Sequence, residues 1–265
     1  MSLTVQVNQI SFCAAKSQNH EKMLQLISES KADLDVFPEY CMGMPLEGLN
    51  KGFIEENAEA IEGEFAQKII ESTKRRLSAA VFTMFLRESK SIYNAAVLAK
   101  AGKIEAIYRK IHLFDAYGYE ESALFASGKS LAIAEIGPFK VGLAVCFDLR
   151  FPEFFRAMAY RGVNLFLVPS AWYKGKHKID QWRILTKARA HENVSYLIAA
   201  NQTLPQFIGH SLAASPLGFA LEELKTFQTS FAVRLDLQEL QAARRLLPTI
   251  LNSERDFYSK LYKDA

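Results

Sequence analysis

Residues 140–169 read Lys-Val-Gly-Leu-Ala-Val-Cys-Phe-Asp-Leu-Arg-Phe-Pro-Glu-Phe-Phe-Arg-Ala-Met-Ala-Tyr-Arg-Gly-Val-Asn-Leu-Phe-Leu-Val-Pro, and the hydrophobic period changes twice within them. The run Lys140 to Phe147 predicts a strand whose end carries Cys146. Pro152 suits the first turn of a helix, where its missing N–H has no partner to lose, and that helix should run to about Tyr160. Val163 to Val168 is then a nearly continuous apolar strand, stopped by Pro169. A strand apolar on both faces must be covered on both, so a layered α/β protein is expected.

The flanking sequence repeats this alternation. Val5 and Val7 lie on one face of a first strand, Met23, Leu24 and Ile27 follow a helical period, and Leu34, Val36 and Phe37 make a second strand. A loop over Pro38 to Gly52 precedes a helix from Glu64 to Arg76 and a strand from Ala79 to Leu86. Asn94 to Ala99 and Ile104 to Tyr108 flank Ala101-Gly102-Lys103, a hairpin signal. Leu131 to Ile136 pairs with the Lys140 strand around Gly137-Pro138. A helix over Ile179 to Asn193, a buried strand from Tyr196 to Ala200 and a β meander through His210 to Ala214, Gly218 to Leu221 and Phe227 to Leu235 follow. A final helix begins at Leu237 and leads into a polar tail. With no repeat, linker or compositional shift, residues 1–265 are expected to form one domain.

Composition narrows the function. Hydrophobic residues are 49% and charged residues 23%, the balance of a globular core. The net charge of +3 is too small to favour nucleic acid or an anionic membrane, and no apolar run is long enough to span a bilayer. The three cysteines, Cys13, Cys41 and Cys146, are too few for a disulfide scaffold and are expected to be free thiols in the cytoplasm. No nucleotide loop is present: Gly128-Lys129-Ser130 ends like one, but Ala123 stands where its first glycine belongs. The five histidines form no H-E-x-x-H, so no metal is expected.

Three chemically capable residues stand at predicted strand ends: Glu39 after Phe37-Pro38, Lys110 after Tyr108-Arg109, and Cys146 after Leu143-Ala144-Val145. Singly, each has a bland reading as a packed thiol or a solvated charge. A free thiol is only a few per cent ionised at neutral pH, so a catalytic cysteine needs a base or a cation beside it. Glu39 can be that base once burial raises its pKa, and Lys110 can stabilise developing negative charge on a carbonyl oxygen.

Together the segments Phe37-Pro38-Glu39-Tyr40, Tyr108-Arg109-Lys110-Ile111-His112-Leu113-Phe114 and Val145-Cys146-Phe147-Asp148-Leu149-Arg150-Phe151-Pro152-Glu153 resemble, in order, the three signature segments of the nitrilase superfamily, the carbon-nitrogen hydrolases. The resemblance extends over Ala188-Arg189-Ala190-His191-Glu192-Asn193, Ala199-Ala200-Asn201-Gln202 and Gly209-His210-Ser211. It implies a four-layer α-β-β-α sandwich, subunits paired as a homodimer, and a Glu39-Lys110-Cys146 triad, with the Phe147 N–H as second oxyanion donor and no cofactor. It also implies a further glutamate near Tyr119-Glu120-Glu121-Ser122. Glu121 is the better placed of the two, with Glu120 as the alternative. Two local departures touch loop shape: Phe125-Ala126-Ser127-Gly128 lacks the usual proline before the glycine, and Ser215-Pro216 replaces Asp-Pro.

The implied reaction is hydrolysis of a small carboxamide to acid and ammonia through a cysteine thioester. An N-carbamoyl compound or a nitrile is the alternative substrate, and a binding module on the same scaffold is the non-catalytic rival. The segment after Cys146 is most similar to the omega-amidase and deaminated-glutathione-amidase branches, which implies a carboxylate-bearing amide. Such a substrate needs a cation. Lys174 and Lys176, beside Trp172 and Tyr173, or Arg150 could supply it, although Lys174, Lys176, His177 and Lys178 also read as a solvated basic loop. Asp148 and Arg150 are expected to pair with each other. Cys41 is the rival nucleophile, but its loop offers no oxyanion donor. Gly209-His210-Ser211-Leu212-Ala213 falls one residue short of a G-x-S-x-G elbow and reads as a strand.

Overall fold

The structure is a computed structural model, and residues 1–203 and 205–264 are described. In chain order its elements are β1 (Ser2–Gln9), α1 (Lys16–Glu29), β2 (Leu34–Val36), α2 (Lys51–Asn57), α3 (Glu64–Arg76), β3 (Ala79–Glu88), β4 (Ser91–Lys100), β5 (Lys103–Arg109), β6 (Ile133–Ile136) and β7 (Phe139–Leu143). Then follow α4 (Pro152–Tyr160), β8 (Leu165–Ser170), α5 (Lys178–Glu192), β9 (Tyr196–Asn201), β10 (Leu212–Ala214), β11 (Ala220–Glu223), β12 (Thr229–Asp236), α6 (Leu237–Leu246) and α7 (Arg255–Asp264).

Two six-stranded sheets result, one ordered β12-β1-β2-β3-β4-β5 and the other β11-β10-β9-β8-β7-β6. They pack face to face, β1 against β9 and β3 against β8. Strand alternation assigns the faces: on β3, Val81 enters the core between the sheets, whereas Phe82 and Met84 join Met23 and Ile27 of α1 and Phe65 and Ile69 of α3. On the other outer face α4 presses onto β7 so closely that a Cβ on Gly142 would lie 2.7 Å from Met158 Sδ. The layers are helix, sheet, sheet, helix, the α-β-β-α sandwich.

Several expectations are corrected. Pro169 does not stop its strand: β8 continues to Ser170, because β7 pairs with β8 only as far as Leu167, and the N–H that Pro169 lacks faces a side where no strand remains. The C-terminal meander is divided between sheets, since β12 returns to pair antiparallel with β1. Gly209 and His210 have positive φ values of 72° and 56° and lie in irregular backbone before β10. The short helix α2 and the tail helix α7 were not foreseen.

Strands β2 and β5 of one sheet and β7 and β8 of the other end at the same edge of the sandwich. There the Glu39 N–H donates to Ser170 O at 3.2 Å, tying the loop after β2 to the end of β8. This edge, where strands finish in both sheets, is where a layered α/β fold places reactive side chains without disturbing its core.

Candidate active site

Glu39, Lys110, Cys146, Phe147, Arg150, Trp172 and Tyr173, all named from the sequence, line one narrow pocket at this edge, joined by Tyr40, Phe114, Ala171 and Lys178. Glu121 lies directly behind Lys110.

Cys146 is held out of the strand rather than on it. β7 ends at Leu143, and Cys146 begins a 3₁₀ turn with a φ of 45°, a left-handed conformation that a side-chain-bearing residue adopts only at a cost. Asp148 stabilises the turn: its Oδ2 accepts from Val145 N at 2.8 Å and from the Tyr108 hydroxyl at 2.9 Å, and its Oδ1 lies 2.6 Å from His112 Nδ1. The expected pairing of Asp148 with Arg150 is therefore not formed. Arg150 points the other way, donating to Gln181 Oε1 at 2.8 Å and lying over the Trp172 ring at 4.9 Å. Residues two apart on a 3₁₀ turn face different directions, so the sequence spacing misled. His112 stacks on Phe151 at 3.7 Å and helps fix Asp148.

Lys110 is 1% exposed, and its ammonium lies 2.9 Å from Glu39 Oε1 and 2.8 Å from Glu121 Oε2. Glu121, not its exposed neighbour Glu120, is thus the second glutamate of the site. Burial works against the Lys110 charge, but Glu121 and Glu39, with Cys146, outweigh it and hold the ammonium above the ordinary lysine range.

A lone-pair count separates the two carboxylates. Glu121 Oε1 accepts from Asn94 Nδ2 at 2.8 Å and the Tyr40 hydroxyl at 3.3 Å, while Oε2 accepts from Lys110 and from Phe114 N at 2.6 Å. All four sites are taken. Glu39 Oε1 is filled by Lys110 and by Asn94 Nδ2 at 2.7 Å, but Oε2 accepts only Ala171 N at 3.0 Å. One site on Glu39 remains open to take a proton. Burial raises the Glu39 pKa, with Lys110 offsetting part of the rise and Glu121 adding to it. Burial raises the Cys146 thiol well above the usual range as well, and the negative charge of Glu39 adds to it while Lys110 opposes it. Both shifts favour proton transfer between thiol and carboxyl over a preformed thiolate.

The opposite wall is aromatic and cationic. Trp172 Nε1 donates to Lys178 O at 3.1 Å, and Tyr173 stacks on Tyr119 at 4.4 Å. Lys174 and Lys176 are exposed, so neither supplies the pocket cation. Lys178 does: it is 8% exposed, and its Nζ sits 3.4 Å from the centre of the Tyr117 ring. Burial lowers its pKa, Tyr117 opposes the fall and nearby Arg150 adds to it. Among the described residues neither Lys178 nor Arg150 has a carboxylate partner, whereas Lys110 has two. Sequence reasoning placed Lys178 in a solvated cluster. Its one distinguishing signal was its place four residues before Trp182, one helical turn away on the same face of α5.

The rival thiol, Cys41, does not line this pocket. Cys41 is fully buried, its Sγ faces Pro38 O at 3.1 Å, and burial pushes its thiol up to about 12 despite the Thr83 hydroxyl and N–H.

Among curated proteins the chain is 31% identical over 201 residues to a deaminated glutathione amidase of Escherichia coli O157:H7, covering 75% of this chain and 76% of that one. It is 28% identical over 269 residues to a 2-oxoglutaramate amidase of Bacillus subtilis strain 168, covering 97% of this chain and all of that one. Among solved structures, a carbon-nitrogen hydrolase from Helicobacter pylori G27 superposes with a TM-score of 0.89 at 23% identity, covering 99% of each chain, which bears on the fold alone. The family model described as carbon-nitrogen hydrolase matches residues 4–245, and the chain belongs to that family of enzymes, hydrolases of carbon–nitrogen bonds.

Proposed function

We propose that the enzyme hydrolyses a small carboxamide bearing a second, anionic carboxylate group, releasing the acid and ammonia. The observation that carries this reading is the juxtaposition of Glu39, with one open acceptor site, a doubly paired Lys110 and a strained Cys146 in a pocket whose far wall holds two cations without carboxylate partners. Relatives named deaminated glutathione amidase and 2-oxoglutaramate amidase support the substrate class.

Cys146 Sγ attacks the amide carbonyl as Glu39 Oε2 takes the thiol proton. The carbonyl oxygen becomes negative between the Lys110 ammonium and the Phe147 N–H, two donors held in place before the charge develops. Glu39 passes its proton to the amide nitrogen, the C–N bond breaks, ammonia leaves and a thioester remains. Glu39 then takes a proton from water as the water attacks the thioester, and returns it to sulfur when the acid departs. Glu121, with every acceptor site filled, anchors Lys110 and takes no proton. Trp172 and Tyr173 wall the acyl chain, and Arg150 and Lys178 bind the distal carboxylate. These steps draw on side chains and water, without a cofactor.

The same reading pairs two subunits as a homodimer and places the enzyme in the cytoplasm, with residues 1–265 as one catalytic domain. No helix among the described residues is long and apolar enough to cross a membrane.

Mass spectrometry of enzyme quenched during turnover of an omega-amide tests the mechanism. An acyl adduct on the Cys146 peptide supports it, and an adduct on Cys41 or undiminished turnover by Cys146→Ala would falsify it. Ammonia release from a panel of amides, N-carbamoyl compounds and nitriles separates the amidase from its two alternatives. Silence across the whole panel would favour a binding module.

A further inference from the structure

Asn94 touches Glu39, Lys110 and Glu121 together, and it does so from the middle of a buried strand. β4 pairs with β5, and the Asn94 carbonyl accepts from Lys110 N at 2.9 Å. Its side-chain amide, 1% exposed, reaches both carboxylates: Nδ2 donates to Glu39 Oε1 at 2.7 Å and to Glu121 Oε1 at 2.8 Å. An amide nitrogen has two protons, and here each goes to a different glutamate. The opposite end of the same amide, Oδ1, is buried with no hydrogen-bond partner. Leaving a buried acceptor unpaired is costly, and a structural asparagine would be oriented to avoid it. Turning the amide over would aim Oδ1 at two carboxylates, so the glutamates dictate its orientation at the expense of its own satisfaction.

On the reading of Glu39 as proton acceptor, we infer that Asn94 is a positioning residue that sets which oxygen of Glu39 is basic. By filling the second site on Oε1 beside Lys110, it leaves the open site on Oε2, the oxygen aligned by Ala171 N. By holding Glu121 with its other proton, it fixes the spacing of the two carboxylates around one ammonium. Without it Glu39 has a vacant site on each oxygen, can rotate about its last bond, and loses a donor that favours its ionised form. The charged and titratable groups facing Glu39 are Lys110, Glu121, Cys146, Cys41, Tyr40 and Tyr173, and none of them can donate to both glutamates in this geometry except Lys110.

The test compares Asn94→Ala and Asn94→Ser with the parent enzyme by two readouts. The first is the pH dependence of iodoacetamide alkylation of the Cys146 peptide in enzyme without substrate, followed by mass spectrometry so that exposed Cys13 does not interfere. The second is kcat and KM on an omega-amide. In Asn94→Ala the acidic limb of the alkylation profile is expected to move up by about one pH unit and kcat to fall about 10- to 100-fold, with KM changed far less, as befits loss of hydrogen bonds to a charged group. Asn94→Ser keeps one donor and should fall between. An unmoved acidic limb in a variant that melts like the parent overturns the inference, whatever happens to kcat. If Asn94→Ala does not fold, Asn94→Ser with the parent's profile overturns it equally. Because alkylation needs no substrate, an enzyme inactive on every amide would sink the amidase reading while leaving the role of Asn94 decidable.

Discussion

The Tyr108 hydroxyl donates to Asp148 Oδ2 across 2.9 Å, and that contact braces the strand that delivers Lys110 against the turn that delivers Cys146. Tyr108 lies two residues before the lysine and Asp148 two residues after the cysteine. The same hydroxyl accepts from Ile111 N at 3.1 Å, so it fixes the chain on both sides of Lys110. The distance between Lys110 and Cys146 is therefore set by a buried bond belonging to neither residue.

Tyr108→Phe removes that hydroxyl while keeping the ring. It leaves one oxygen of a buried carboxylate short of a donor, a loss of about 1 to 3 kcal/mol. The expected result is a kcat lowered about tenfold or more with little change in KM, because the misplacement is felt most in the transition state. A variant with parental kcat but a lower melting temperature would reduce the brace to a purely structural contact.

The second prediction concerns the resting protonation state. Since burial and Glu39 raise the Cys146 thiol while Lys110 only partly offsets them, ultraviolet spectroscopy near neutral pH should detect no thiolate on Cys146. Glu39→Gln removes the proton acceptor and should slow alkylation of Cys146 by at least about 100-fold, within the range general-base catalysis contributes. Thiolate absorbance in the free enzyme that vanishes in Cys146→Ala would show an ion pair instead and would reassign Glu39.

How much of this could be read in advance depended on whether a feature was local. Helices α3 and α4 match their expected limits because their apolar period, Pro152 and flanking breaks are all within the segment. The meeting of Glu39, Lys110 and Cys146 in one pocket was legible because each follows a strand with a recognisable motif. The return of β12 to β1 was illegible, since the pairing joins residues more than two hundred positions apart and no local pattern encodes it. Lys178 was misplaced because its neighbours Lys174, Lys176 and His177 are exposed and charge runs are usually solvated. Asn94 did carry a signal, a lone amide at the start of the apolar run Ala95 to Ala99, where a buried polar group needs partners that only the folded chain supplies.

Stability should carry its own pH dependence through Asp35 on β2. Neither of its carboxylate oxygens has a hydrogen-bond partner, and burial raises its pKa to about 7, with Ser30, Arg76 and Asn8 offsetting only part of the rise. A raised carboxyl binds its proton more tightly in the folded than in the unfolded chain. Its contribution is thus fully present below about pH 4 and is lost as pH rises through about 7. Asp35→Asn should match the parent's stability below about pH 4 and exceed it increasingly up to about pH 7, by at most about 4 kcal/mol at and above that pH. A constant difference between the two proteins across that range would show that Asp35 does not titrate there.

The last prediction concerns what the pocket selects. Lys178 is the first residue of α5, where the positive end of the helix dipole disfavours a cation, and its ammonium is buried against the Tyr117 ring with Arg150 nearby. Three unfavourable terms act on one charge: burial, a second cation and the helix terminus. Cation–π contacts with Tyr117 and, at longer range, with Phe114 and Trp172 offset part of this. An anionic group between Lys178 and Arg150 answers all three at once. Lys178→Met keeps the aliphatic stem and removes the charge. For an omega-amide of a dicarboxylic acid, kcat/KM should fall about 10- to 100-fold, mostly through KM, because the distal carboxylate is bound equally in ground and transition states. For a neutral amide of the same chain length it should stay level or rise. A similar loss on both substrates would mean that Lys178 shapes the pocket rather than reading charge, and would leave Arg150 as the only cation available for carboxylate recognition.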